Sequence, residues 1–130
     1  MAADTSRRVV VAVPSPSGIS ITKPDDESKT HQFAFDRVFD DTIEQAALYK
    51  ACVRDVVLDT LKGYNGSIIA YGQTGSGKTY TMEGGAEDLR GVIPRASEEI
   101  FNFIENSSNA HSRFLVRVSF LQVGCPLQPT

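Results

Sequence analysis

No run of about 18 apolar residues occurs in this 130-residue chain, so no segment has the length a membrane-crossing helix needs. The opening residues, MAADTSRR, lack the apolar core of a secretory signal, and a cytosolic setting is expected. A basic excess is also missing. The net charge is −3, with 13 Lys and Arg against 16 Asp and Glu, which argues against nucleic acid as the principal partner, since its phosphates need a basic patch to bind. Cysteine is scarce as well. Cys52 and Cys125 lie far apart in the sequence and show no metal-ligand spacing, so two reduced thiols are expected rather than a zinc site or a disulfide framework. Asn65-Gly66-Ser67 and Asn106-Ser107-Ser108 match the glycosylation sequon, but without a secretory route the match carries no meaning.

What is present centres on residues 72–79, GQTGSGKT. The spacing is that of a P-loop, G-x-x-x-x-G-K-[ST]. Gly72, Gly75 and Gly77 allow positive φ, so that the backbone N–H groups of Gln73, Thr74, Gly75, Ser76 and Gly77 can turn inward on a phosphate. Lys78 brings a mobile point charge to β and γ oxygens, and the Thr79 hydroxyl suits Mg²⁺. The apolar run Ser67-Ile68-Ile69-Ala70-Tyr71 leads directly into Gly72 and reads as a parallel strand buried on both faces. A helix should follow the loop. Together these predict an α/β protein of the P-loop NTPase kind, with a mixed central β-sheet flanked by helices.

Along the rest of the chain, residues 7–13 read as a strand closed by Pro14-Ser15-Pro16-Ser17-Gly18, and residues 19–22 as a second short strand. Residues 23–31, KPDDESKTH, read as a charged loop, and Phe33, Phe35 and Phe39 as core aromatics covering a sheet edge. Asp40, Asp41 and Thr42 offer caps for one helix running from about Ile43 to Lys62. Its inward stripe would be Ala46, Tyr49, Val53, Val56 and Val57, Asp59 would be solvated, and Gly63 would cap the end. After Thr79 the helix should be short, because Gly84, Gly85 and Gly91 flank an acidic segment. A further helix is predicted from about Pro94, with Ala96, Ile100, Phe103 and Ile104 on one face, and a last strand over residues 114–121. Residues 124–130, GCPLQPT, read as an unstructured tail.

Several stretches together resemble one family, the kinesin microtubule motors, over nearly the whole chain up to about Val123. They are Phe33-Ala34-Phe35-Asp36 with Val38-Phe39, Gly63-Tyr64-Asn65-Gly66, AYGQTGSGKTYTMEG over residues 70–84, and Gly91-Val92-Ile93-Pro94-Arg95. The resemblance implies an incomplete motor head over residues 1–123. It implies ATP and Mg²⁺ as ligands, microtubules as the partner of the intact protein, and a place on the cytoplasmic cytoskeleton. It further implies that Gln73, Thr74, Gly75, Ser76, Gly77, Lys78 and Thr79 wrap the phosphates, and that Tyr80 packs on adenine. Where the family has R-x-R-P at the end of its first strand, this chain has Val11-Ala12-Val13-Pro14 and keeps only the proline, so Pro14 alone is carried over as an adenine contact.

Two family sequences, the switches N-x-x-S-S-R-S-H and D-x-x-G-x-E, do not occur in the 130 residues. Phosphoryl transfer needs groups that position water and spread charge, so the chain is expected to bind ATP better than it hydrolyses it. The divergence after Leu121 suggests a truncated or alternatively spliced product. Alternatives from other classes are a non-catalytic fragment that binds a partner through unpaired strands, and an unrelated small P-loop kinase or GTPase.

Overall fold

The computed structural model describes residues 11–23, 26–107 and 113–121. The chain begins with an antiparallel meander, β1 (Val11–Ser15), β2 (Gly18–Lys23) and β3 (Asp26–Ala34), in the order β1-β2-β3. The ladder between β1 and β2 loses register between Ala12 and Ser15. Pro14 lies inside that interval, and without an N–H it cannot donate to the ladder, which confines it to an edge strand or a bulge. Strand β1 thus runs two residues beyond the expected Val13, through the proline rather than up to it.

Strand β3 corrects the charged loop expected over residues 23–31. Pairing overrides composition here: β2 places Ile19 opposite Phe33 and Ile21 opposite His31, and the hydroxyls of Thr22 and Thr30 meet at 3.1 Å. A ladder with solvent on its faces tolerates polar side chains that a buried strand would not. The same exposure corrects the aromatic assignment, since Phe33 and Phe35 are exposed rather than core residues.

The expected long helix forms in two segments, α1 (Gln45–Cys52) and α2 (Arg54–Leu61). They join at Val53, whose φ of −114° departs from helical geometry, although Val53 N–H still bonds to Tyr49 O at 2.9 Å and Val57 N–H to Val53 O at 3.1 Å. The residue capping α1 is Glu44, with no side-chain cap bond. Asp40 instead closes a turn upstream, its carboxylate accepting from the Thr42 amide at 3.0 Å and the Thr42 hydroxyl at 2.6 Å, and these two bonds hold the Asp40 carboxyl below its usual value. Downstream, Gly63 takes φ +101° as the helix-ending residue, and Asp59 stays at the surface beside Lys62.

The core is small and sits where α1 and α2 meet α4 (Val92–Ser107). Tyr49, Val53, Val57 and Val92 are buried, with Leu48, Met82, Ala96 and Ile100 packed against them. Ala46 is exposed, so the inward stripe is narrower than the sequence suggests. Between the short α3 (Lys78–Met82) and α4, the chain makes a tight excursion with one 3₁₀ turn (Glu87–Leu89). Gly85 N–H bonds to Leu89 O at 2.8 Å and Gly91 N–H to Glu83 O at 2.9 Å. Gly84 sits at φ +77°, where a Cβ would overlap Leu89 O and Gly91 N. This closure explains why the acidic segment is not a continuous helix.

Residues 67–71 and 113–121 are irregular and belong to no ladder among the described residues. Ile69 is 85% exposed, Tyr71 99%, Phe120 92% and Leu121 93%, so the two expected strands lie open rather than buried. Phe114 still touches α4, edge-on to Phe103 at 6.5 Å between centroids. The tail at residues 124–130, with Cys125, lies outside the described residues, and Cys52 is an exposed free thiol.

Outside the core, α1, α2 and α4 are tied by Glu99. Its carboxylate accepts from the Tyr49 hydroxyl at 2.7 Å and from Arg54 Nε at 2.8 Å. Desolvation pushes the Glu99 carboxyl up, but the hydrogen bonds from Tyr49 and Arg54 outweigh it and leave the carboxyl below its ordinary 4.5. Burial, followed by the bond to Glu99, raises the Tyr49 phenol. The stabilisation from Glu99 is therefore present above pH 4.5 and lost as pH falls through the folded value. Glu99→Gln should remove that acid-side decline, so that melting temperatures followed by circular dichroism fall less steeply below pH 4.5 than in the wild type.

Candidate nucleotide site

Residues 72–77 connect the irregular run at 67–71 to α3. Gly75 has φ +78° and Gly77 +93°, both in the left-handed region. The Ser76 amide closes a turn on Gln73 O at 3.2 Å. Gly72 lies under this turn, where a Cβ would overlap Ser76 Oγ. Gly75 and Gly77 are thus favoured by their backbone conformation, whereas a side chain at Gly72 would require the Ser76 hydroxyl to rotate away.

Helix α3 has five residues. Its first intrahelical donor is Thr81, whose amide bonds to Gly77 O at 2.8 Å. The amides of Lys78, Thr79 and Tyr80 precede it and are the unserved donors of a helix start. With so few residues the helix dipole is weak, and an anion here would depend on the Lys78 and Thr79 amides and on the lysine side chain. The Lys78 ammonium folds back over the loop, donating to Gly72 O at 2.8 Å and Gln73 O at 2.6 Å. Its charge is thereby held over the loop backbone.

A cleft of about 520 Å³ runs beside the loop. Ser76, Gly77, Tyr80 and Thr81 form one wall, and Phe39, Asp40, Glu44 and Gln45 are among the residues opposite. The carboxylates of Asp40 and Glu44 make this cleft unfavourable for phosphate, which places an anion at the Lys78 end instead. Gln45 Nε2 donates to Tyr80 O at 2.6 Å, so α1 and α3 are linked across the cleft. Sequence reasoning missed Gln45. A glutamine at the start of an amphipathic helix carries no motif, and its one signal was a polar residue near a predicted apolar stripe.

The expected site residues do not all converge. Gly72, Gln73, Thr74, Gly75, Ser76, Gly77, Lys78, Thr79 and Tyr80 lie on one continuous turn and helix, whereas Pro14 lies on exposed β1 and is not among the residues lining the cleft. Thr79 is exposed at the helix start with its hydroxyl available as an oxygen ligand. Among the described residues no group of three or more His, Cys, Asp or Glu side chains is arranged to hold a metal. The donors fit an anionic phosphate, and fit Mg²⁺ only as a partner of that phosphate. A second cleft of about 580 Å³, bordered by Tyr49, Arg54, Arg95 and Glu99, belongs to the ion-paired contact of α1 and α2 with α4.

The arrangement has the glycine turn and overlying lysine of a P-loop. The family model of the kinesin motor domain matches residues 3–124, and the chain belongs to this family of microtubule motors. It is 50% identical over 93 residues to the kinesin-like protein KIF3C of Mus musculus, covering 70% of this chain and 11% of that protein. It is 46% identical over 93 residues to the kinesin-1 heavy chain of Homo sapiens, covering 70% of this chain and 10% of the relative. A solved structure of a fast kinesin, described with implications for ATPase mechanism and interactions with microtubules, superposes with a TM-score of 0.68 at 41% identity. That match covers 76% of this chain and 28% of the other. The chain therefore spans about a tenth of the length of these curated relatives. The fold is an α/β motor head in part.

The loop geometry yields a direct test. Gly77→Ala, which forces a Cβ into left-handed backbone, should destabilise the chain by about 1 kcal/mol and lower its thermal midpoint, whereas Gly72→Ala, relieved by rotation of Ser76, should change it less. A midpoint unchanged by Gly77→Ala would show that the turn does not hold its left-handed geometry.

Proposed function

We propose that this chain is the ATP-binding portion of a kinesin-like microtubule motor. Residues 1–123 form the N-terminal part of its motor domain, and residues 124–130 form a divergent tail. The observation that carries the reading is the loop itself: left-handed Gly75 and Gly77, Gly72 beneath Ser76, and Lys78 held over the same turn. On binding, Lys78 exchanges its two carbonyl partners for phosphate oxygens, a charge-assisted replacement. The amides of Lys78 and Thr79 supply further donors, and the Thr79 hydroxyl would take one position on Mg²⁺. Held there beside the phosphate, Mg²⁺ would supply charge neutralisation. Tyr80 presents its ring to the base, and Pro14 contributes at most from β1. Microtubules are the partner of the intact motor, on the cytoplasmic cytoskeleton; among the described residues no helix is long and apolar enough to cross a membrane.

These 130 residues hold ATP without turning it over, because neither switch sequence occurs in them. Nothing on the loop orients a water, and it carries neither a second Mg²⁺-side carboxylate nor a charge-stabilising arginine. A thermal-shift titration reads the binding directly. Mg-ATP at about 100 times its Kd adds about 2.7 kcal/mol of stability, Lys78→Ala abolishes the shift, and phosphate release with microtubules does not exceed that of Lys78→Ala. Release above that control would contradict the reading.

One observation favours a second reading, a non-catalytic fragment that associates through its open segments. Apolar side chains at Ile69, Tyr71, Phe120 and Leu121 stand almost fully exposed, which is the pattern of an interaction or aggregation surface. The same titration separates the two readings, since this one gives no ATP shift together with concentration-dependent association.

A further inference from the structure

We propose that Gln45 is a positioning residue for the base end of the nucleotide site, acting through the Tyr80 backbone; this rests on the ATP-binding reading above. Gln45 opens α1 and is the one polar residue counted with the buried set among the described residues. A polar group is buried only where a partner satisfies it, and its partner lies 35 positions away, with Nε2 donating to Tyr80 O at 2.6 Å.

The ending of α3 explains why Tyr80 O needs this donor. In a longer helix the Gly84 amide would serve it, but Gly84 N–H turns back to Thr79 O at 3.3 Å, which also accepts from Glu83 N–H at 2.8 Å. Tyr80 O is therefore one of the orphan carbonyls of a helix end, and a side chain from another element caps it. The Tyr80 ring leaves the same residue and is half exposed into the cleft that Gln45 also lines. A five-residue helix has few ties of its own. The bond from α1 thus sets where the ring stands relative to the opposite wall. The phosphate end is held separately, by the glycines and by Lys78. Gln45 therefore bears on the base and not on the phosphates.

That separation supplies a readout which a merely structural role would not move. Affinities for Mg-ATP and for Mg-tripolyphosphate, which lacks base and ribose, are compared in the wild type, Gln45→Met, Tyr80→Ala and the double variant. Gln45→Met keeps the apolar stem and loses the donor. It should weaken ATP about five- to tenfold, the value of one part-buried hydrogen bond, and leave tripolyphosphate unchanged. In the Tyr80→Ala background it should change ATP affinity no further. Gln45→Lys, which restores an N–H donor of similar reach, should recover part of the ATP affinity. Equal losses for both ligands, additive losses in the double variant, or no recovery with lysine would overturn the proposal. Failure of the wild type to bind either ligand would instead overturn the nucleotide reading, and this proposal with it.

Discussion

The position of every site element depends on one contact, the burial of Tyr49, Val53 and Val57 against Val92. Apolar burial is worth about 25 cal/mol per Å², and among the described residues this cluster holds the side chains most removed from water. It fixes α1 and α2 against the start of α4. The start of α4 is in turn pinned to α3 by close backbone approach at Gly91, where a Cβ would lie 2.6 Å from Thr81 O and 2.7 Å from Met82 O. Helix α3 therefore cannot move independently of the core. A five-residue helix would be marginal alone, and its place is set by what packs around it.

From that arrangement the two ends of the site acquire different chemistry. At one end, glycines and a lysine leave donors and positive charge over a bare backbone turn. At the other, the segment leading into α1 brings Phe39, Asp40, Glu44 and Gln45 alongside Tyr80. The two ends thus differ in chemistry, one suited to an anion and the other offering an aromatic ring, and they meet at Tyr80. The meander β1-β2-β3 stands outside this logic, and Pro14 stands with it.

Much of this was legible in the sequence where chemistry is local. The glycine turn at residues 72–77, the short helix after it, the Gly63 terminus and the Val53 and Val57 stripe depend on residue type and spacing within a few positions, and the structure has each of them. Misreadings arose where a distant partner decides the outcome. Residues 26–31 look like a solvated loop until β2 pairs with them, and residues 67–71 look like a buried strand and 114–121 like an alternating one, although no ladder among the described residues takes them up. Alternation of apolar residues reports what a strand would bury, not whether a neighbour is present. Gln45 was illegible for the same reason, since its meaning lies 35 residues away.

The central claim is that residues 72–80 form a phosphate-holding turn whose donors are poised by the core. Amide hydrogen exchange with and without Mg-ATP measures this residue by residue. The account predicts ATP-dependent slowing at the amides of Gly75, Gly77, Lys78, Thr79 and Tyr80, with the meander at residues 11–34 unchanged. Exchange in the loop that is indifferent to ATP, or protection spread evenly over the chain, would contradict it.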